Sequence, residues 1–423
     1  MRIGIFTQWY EPEPGPASLS SITARVLVER GHEVHVLTGF PNYPSGKVKE
    51  GYRQQPRSRE CLGGVNVLRV PLIPSHDKSA LRRVANYASF GISAAMFGVT
   101  GLPSLDALWV NYSPVTLALP MWVQQVTRGT PTVCDVSDLW PDTIRVSGLD
   151  GAKALDGLGL RIVDQWCKAM YASSDLITYI SPGVRDILIS RGVPTERLQY
   201  LPKPADERIF HPGGTSLRRR LGIREDSVVV SYSGSMGAAQ GLEALIEAFA
   251  AVDDPRLVLL MAGSGTQQDL LERNASRLNL PNIRFLGRLP QEQMTDLMAT
   301  SDIAFASLAR NPISSVTMPS KTQAAMACGR PVLAAASGDL ARLITSNNLG
   351  FVAQPGDSAS IAMALRAALN AGRPMLAKLG ASARALYLAE FSLDHTTDLL
   401  ESALSDVSQR RRGLWSRLAP TER

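Results

Sequence analysis

The sequence predicts an α/β protein made of two doubly wound domains that face one cleft. Three observations lead there. At 423 residues the chain is too long for one ordinary core and fits two domains of about 200 residues each. Short, continuous apolar runs alternate with amphipathic stretches, the pattern of buried parallel strands joined by helices. The alternation lapses once, near the middle, and then restarts.

Taken in order, a strand at 3–7 precedes a glycine- and proline-rich turn, a helix at 19–30 stopped by Gly31-His32, and a strand at 33–37, forming a βαβ unit. Further strands are expected at 67–70, 107–110, 132–134 and 176–180. Residues 203–226 hold Pro204, Pro212, Gly213-Gly214 and Arg218-Arg219-Arg220, and read as a linker. Strands at 228–232, 257–261, 283–286, 302–306 and 331–334 follow, with helices at 242–249, 270–278 and 320–328. The expected organisation is an N-terminal domain over 1–202, a C-terminal domain over 227–392, and a helix with a basic tail over 393–423.

The composition, 45% hydrophobic and 19% charged, is that of a globular protein. Net charge is +6, which suits phosphate-bearing ligands or an anionic membrane surface. No basic stripe interleaved with aromatics appears, so nucleic acid is not an expected partner. Four scattered cysteines without a CxxC pair fit a reducing compartment, and the N-terminal run is cut short by Thr7 and Gln8, unlike a signal peptide. The expected location is the cytoplasm.

Residues 84–102 are nearly free of charge and follow Arg82 and Arg83. Within an apolar helix expected over 79–99, Leu81, Val84, Ala88, Ile92, Ala95 and Val99 share one face, with Tyr87, Phe90 and Phe97 off it. Either this is a buried core helix, or it lies in a membrane interface, with Arg82 and Arg83 on anionic headgroups and Phe90 and Phe97 in the acyl boundary. It is marginal as a membrane span.

In open α/β sheets, ligands bind beyond the carboxyl ends of the strands, where helix N-termini present free N–H groups. Three places qualify. Gly15, in the loop after the first strand, permits close backbone approach, although an ordinary turn fits these residues equally. Ser235, Gly237 and Gln240 lie in a glycine-rich loop after the first strand of the second half; lacking Gly-Lys-Ser/Thr, it is not an ATPase P-loop. Pro319-Ser320-Lys321-Thr322 opens a helix with a proline, a serine expected to cap it and a first-turn lysine, a combination that suits an anion. No HExxH or GxSxG pattern occurs, which disfavours zinc or serine hydrolases.

The run from Gly31 through Gly46, with Asp138-Leu139-Trp140-Pro141-Asp142, Ala262-Gly263-Ser264-Gly265, Phe285-Leu286-Gly287 and the segment from Met318 to Val332, resembles glycosyltransferase family 4. The narrower likeness is to the bacterial branch that adds fucosyl- or N-acetylfucosaminyl-type sugars in colanic-acid and O-antigen synthesis, and it extends to about residue 392. The resemblance implies a GT-B fold of two Rossmann-like domains. It implies retaining transfer from a nucleotide diphosphate sugar, with no obligatory metal or other cofactor. The acceptor would be a glycan on polyprenyl diphosphate, met at the cytoplasmic face of the inner membrane.

Under the same resemblance Gly287 and Arg288 lie near the base, Gly263 also binds the donor, Ser320 and Lys321 meet the diphosphate, Ser235, Gly237 and Gln240 lie beside it, and Gly15 approaches from the first domain. Two departures stand out. The family's acidic pair falls on Val316 and Ala324, and a basic residue usual before the phosphate helix is Gln240. Gln323, Arg310 or Lys321 would have to make the missing contacts.

Charge grows on the leaving diphosphate during such a transfer, and Lys321 is the expected cation. Asp138 or Asp142 is expected to orient the acceptor hydroxyl or take its proton, with turn or helix capping as the alternative for each. Two rival readings remain, a nucleotide-sugar epimerase of the same fold and a non-catalytic nucleotide-sugar-binding subunit of a membrane assembly.

Overall fold

Runs rich in valine and isoleucine with no polar alternation must be covered on both faces, and in the computed structural model they form the centres of two parallel sheets. The structure describes residues 1–14, 19–75, 79–111, 113–146 and 157–418.

The chain divides into two units, 1–201 with 396–423, and 202–395. The first holds strands β1 (Arg2–Phe6), β2 (Glu33–Gly39), β3 (Ser58–Leu62), β4 (Val65–Val70), β5 (Ala107–Asn111), β6 (Thr132–Val136), β7 (Leu176–Tyr179) and β8 (Leu198–Tyr200). Their order is β3-β4-β2-β1-β5-β6-β7-β8, parallel except for the β3–β4 pair. That hairpin turns on Gly63 and Gly64, both at positive φ, as a two-residue loop between right-twisted strands requires. Its helices are α1 (Leu19–Glu29), α2 (Ala80–Ser93), α3 (Ala118–Arg128), α4 (Asp142–Val146), α5 (Leu158–Ser173) and α6 (Pro182–Ser190).

The second unit holds β9 (Val228–Ser235), β10 (Leu257–Ser264), β11 (Ile283–Gly287), β12 (Ile303–Ser307), β13 (Val332–Ala335) and β14 (Gly350–Ala353), in the order β11-β10-β9-β12-β13-β14. This is the Rossmann order, with its switch point between β9 and β12. Helices α7 (Glu243–Val252), α8 (Gln268–Arg277), α9 (Met294–Thr300), α10 (Ser320–Ala327), α11 (Gly338–Ser346) and α12 (Ser358–Leu386) cover it, α12 breaking at Gly372. The last helix, α13 (Leu393–Leu418), begins in this unit and continues in the first.

Two expectations about organisation need correction. Residues 203–226 are not a free linker. Leu217 and Ile223 are buried, and the guanidinium of Arg218 donates to the carbonyl of Ser227 at 3.0 Å and to the carboxylate of Asp302. A buried arginine needs such acceptors, and satisfying them folds the segment into the second unit. The C-terminal helix, expected as a segment of its own, joins the first unit: Leu400, Ala403, Leu404 and Val407 pack with Ile3, Leu27 and Val34 in its core.

Candidate active site

In the second unit the site forms where β9 ends and α10 begins. Pro319 takes the N-cap position of α10 with extended backbone, and Ser320 is the first helical residue. The serine expected to cap this helix therefore does not. Proline lacks an N–H and suits a helix start; the Thr322 N–H turns back to the Pro319 carbonyl at 2.9 Å, which leaves the N–H groups of Ser320 and Lys321 without an intrahelical partner.

Lys321 follows, its side chain largely buried. Its Nζ lies 3.8 Å from the centroid of the Tyr232 ring, and a Cβ added to Gly234 would come within 3.4 Å of it. Among the described residues no carboxylate pairs with this ammonium. Burial pushes its pKa down to about 7. Beside it the buried Thr322 Oγ1 and Gln323 Oε1 also lack hydrogen-bond partners. Buried polar atoms are normally satisfied, so two orphans next to the lysine make this a turn rich in unsatisfied polar groups. Unpaired amides and an unpaired cation together suit a ligand of negative charge.

The surrounding glycines make this approach possible. A side chain at Gly263 would place its Cβ 1.9 Å from the carbonyl oxygen of Gly234, so the ends of β9 and β10 touch backbone to backbone. Gly287 ends β11 opposite Ala262, with open space where a side chain would be, and the exposed Arg288 follows it.

Ser235 is exposed at the end of β9. Gly237 and Gln240 also close their own loop. The N–H of Gly237 donates to Oε1 of Gln240 at 3.2 Å, so both are used in closing the loop, and the carbonyl of Gln240 is held by the Ser307 hydroxyl. Arg310, exposed, donates through Nε to the Pro355 carbonyl. Val316 and Ala324 stand where the acidic pair was expected, and neither offers a carboxylate.

In the first unit, Asp142 begins α4, and its carboxylate accepts from Arg145 at 3.1 Å and from Arg191, whose guanidinium also holds the Trp140 carbonyl. Both carboxylate oxygens are engaged by guanidiniums at the start of α4, which favours the structural alternative for Asp142 over a role toward an acceptor hydroxyl. Asp138, half-buried, lies in the turn between β6 and α4. Gly15 falls outside the described residues.

Helix α2 departs from the core-helix expectation in its aliphatic face and from the interfacial one in its aromatics. Its polar residues turn inward: Asn86 takes the Gln8 amide and donates to the Ile73 carbonyl, the Ser89 hydroxyl accepts from the Ile73 N–H, and Ser93 donates to the Pro71 carbonyl. Phe90, expected at a membrane, is wholly buried, and Phe97 is half-buried. The aliphatic stripe faces outward instead, Leu81 being 79%, Val84 52%, Ile92 50% and Met96 61% exposed. Arg82 is exposed on the same helix, and Arg83 donates to the Tyr87 hydroxyl at 3.1 Å. Among the described residues no helix is long and apolar enough to cross a membrane.

The residues the sequence reading missed are Tyr232, which seats the lysine, and Gly234. Both stand in the last residues of β9, and the signal was an aromatic two residues before a glycine at a strand end.

Residues 19–204 match the family described as Glycosyl transferase 4-like domain, and residues 215–386 match Glycosyl transferases group 1. The chain is a glycosyltransferase of family 4. This glycosyltransferase is 26% identical over 335 residues to the putative colanic acid biosynthesis glycosyl transferase WcaI of Escherichia coli K12, covering 78% of this chain and 82% of the relative. It is 28% identical to a D-inositol 3-phosphate glycosyltransferase of Stackebrandtia nassauensis over 92% of this chain and 86% of that one. Among solved structures, Anabaena Alr3699/HepE in complex with UDP and glucose aligns with TM-score 0.69 at 19% identity, over 96% of this chain and 100% of that one. WaaG, a glycosyltransferase involved in lipopolysaccharide biosynthesis, aligns with TM-score 0.67 at 19% identity, over 95% and 99%. The fold is GT-B.

Proposed function

We propose that this glycosyltransferase moves a sugar, with retention of configuration, from a nucleotide diphosphate sugar to a lipid-linked glycan in bacterial surface polysaccharide synthesis. The observation that carries the reading is the buried, unpaired ammonium of Lys321 at the amino end of α10. A diphosphate supplies the charge this turn lacks, and the HepE structure, of the same fold and in complex with UDP, supports a nucleotide donor. The similarity to WcaI supports the polysaccharide setting.

In retaining transfer without an enzyme nucleophile, the acceptor hydroxyl attacks the face from which the diphosphate leaves. Negative charge grows on the leaving oxygen as the glycosidic bond breaks. Lys321 and the α10 amides are already oriented toward such charge, and one preorganised donor of this kind contributes about 2.7–4 kcal/mol. The first unit serves the acceptor, with Asp138 taking the proton of its hydroxyl. The outward stripe of α2 rests on the cytoplasmic face of the inner membrane, with Arg82 toward anionic headgroups.

The test is a binding screen of nucleotide sugars followed by radiolabel transfer into a membrane lipid extract. Label should move from one nucleotide sugar into the lipid fraction. Conversion of the donor with no acceptor present would make the protein an epimerase, and binding without turnover across several extracts would make it a binding subunit.

A further inference from the structure

The first sheet has a switch point of its own. β2 lies on one side of β1 and β5 on the other, so a crevice is expected beyond the carboxyl ends of β1 and β5. Three aromatic side chains gather at that end of the sheet. Trp9 follows β1, Tyr87 comes from α2, and Trp140 lies beyond β6. Tyr87 meets Trp9 edge-on at 6.0 Å between ring centroids and Trp140 at 6.5 Å. None of the three rings is fully buried.

Two polar atoms in the same cluster are buried and unsatisfied. Oε1 of Gln8, the neighbour of Trp9, accepts nothing, although its Nε2 donates to Asn86 at 2.6 Å. The indole N–H of Trp140 donates to nothing. One orphan is an acceptor and the other a donor. A group that completes both must donate and accept, which is the chemistry of a hydroxyl. Partly exposed aromatic rings beside unsatisfied polar atoms at a switch point are features of small-ligand sites. The aliphatic face of a pyranose ring suits an aromatic ring, and its hydroxyls suit the orphans.

We propose that Trp9, Tyr87 and Trp140, with Gln8, form the subsite for a sugar ring of the acceptor. This deepens the proposed transfer reaction and rests on it. Tyr87 also links the subsite to the membrane-facing helix, because Arg83 holds its hydroxyl while Val84 and Ile92 of the same helix face outward. The acceptor sugar would then be bound on the inner side of the helix whose outer side meets the lipid that carries it.

The experiment is radiolabel transfer from the nucleotide sugar selected above into total membrane lipid extract, with extract and donor titrated separately. Trp140→Phe keeps a ring and removes the N–H; Trp9→Leu removes a ring. Each should raise the extract concentration for half-maximal transfer about fivefold to tenfold, while the half-saturating donor concentration stays within about twofold. If wild type transfers and neither variant shifts the extract titration, or if the shift falls on the donor, the subsite is overturned while the proposed function stands. If wild type transfers nothing into any extract, the proposed function fails and the subsite with it. Should Trp9→Leu not fold, Trp140→Phe with an unchanged thermal melt decides alone.

Discussion

The ammonium of Lys321 sits 3.8 Å from the centre of the Tyr232 ring and pairs with no carboxylate among the described residues. A desolvated ring face returns about 2 kcal/mol to a cation, less than an ammonium loses on leaving water. The residue is thus held in a destabilised state that an anion relieves. Lys321→Ala should lower turnover about a hundredfold with the fold intact, as measured by initial rates at saturating donor and by circular dichroism. Near-normal turnover would remove Lys321 from the mechanism.

The same lysine makes stability depend on pH with a definite sign. Its pKa in the folded protein is lowered to about 7, against an ordinary 10.5, so between those values the unfolded chain binds more protons and stability rises with pH. The full cost of burying the charge falls below pH 7. Lys321→Met should therefore stabilise the protein most at pH 6, on the order of a few kcal/mol, with the gain shrinking toward pH 10. Paired denaturant melts across that range check it; a gain that grows with pH would contradict the depressed pKa.

Donor binding should follow from that titration. Above pH 7 the empty site holds mostly neutral lysine, and an arriving diphosphate favours the charged form, so binding takes up a proton. Affinity should fall as pH rises past 7, by at most about tenfold per unit. Calorimetry of UDP or GDP binding at pH 8, in buffers of different ionisation enthalpy, should report up to one proton taken up, almost none at pH 6, and none in Lys321→Met.

Gly263 tests the close approach of β9 to β10. It combines φ +139° with a Cβ position 1.9 Å from the Gly234 carbonyl, so any side chain must push the two strand ends apart. Gly263→Ala should cost about 1–3 kcal/mol and raise the half-saturating donor concentration at least about tenfold. An unchanged donor titration would show that this geometry does not shape the site.

Much of this was legible in the sequence because buried parallel strands announce themselves. The runs at 3–7 and 228–232 became the central strands β1 and β9, and the proline and lysine at 319 and 321 marked the helix end where the orphaned groups gather. The β3 strand escaped because one of its faces is exposed and its apolar signal is weak, although Gly63-Gly64 marked the hairpin. The orientation of α2 escaped for a deeper reason. Helical periodicity finds the apolar face but assumes it points inward, whereas the carbonyls of Ile73 and Pro71 offered partners to Asn86 and Ser93 and turned the polar face to the core. Asp142 illustrates a further limit, since its commitment depends on Arg191, 49 residues away.

The two aspartates of the β6–α4 segment should separate in their effects. Asp142 binds the half-buried Arg191 and so links the start of α4 to the end of α6; Asp142→Asn should cost about 1–3 kcal/mol of stability and lower activity only as far as folding is lost. Asp138→Asn should instead lower turnover about a hundredfold or more, beyond what any loss of stability explains. Equal losses of stability in the two variants would argue that Asp138 too serves the fold.

The outward stripe of α2 is the last feature to test. Leu81, Val84 and Ile92 of α2 and Met96 just beyond it expose half or more of their surface, while their polar neighbours are satisfied inward. Substituting them should cost little stability, and the effect should fall on whatever they rest against. Each basic residue near an anionic surface contributes about 1 kcal/mol. Leu81→Glu with Ile92→Glu removes apolar insertion and adds repulsion, while Arg82→Glu reverses one charge. Flotation with phosphatidylglycerol-containing vesicles should show wild type bound, Arg82→Glu weakened at least about fivefold, and the double variant released. All should melt within about 0.5 kcal/mol of wild type, because surface changes away from buried contacts are nearly neutral. Undiminished flotation of the double variant would mean that this stripe is covered by something other than lipid.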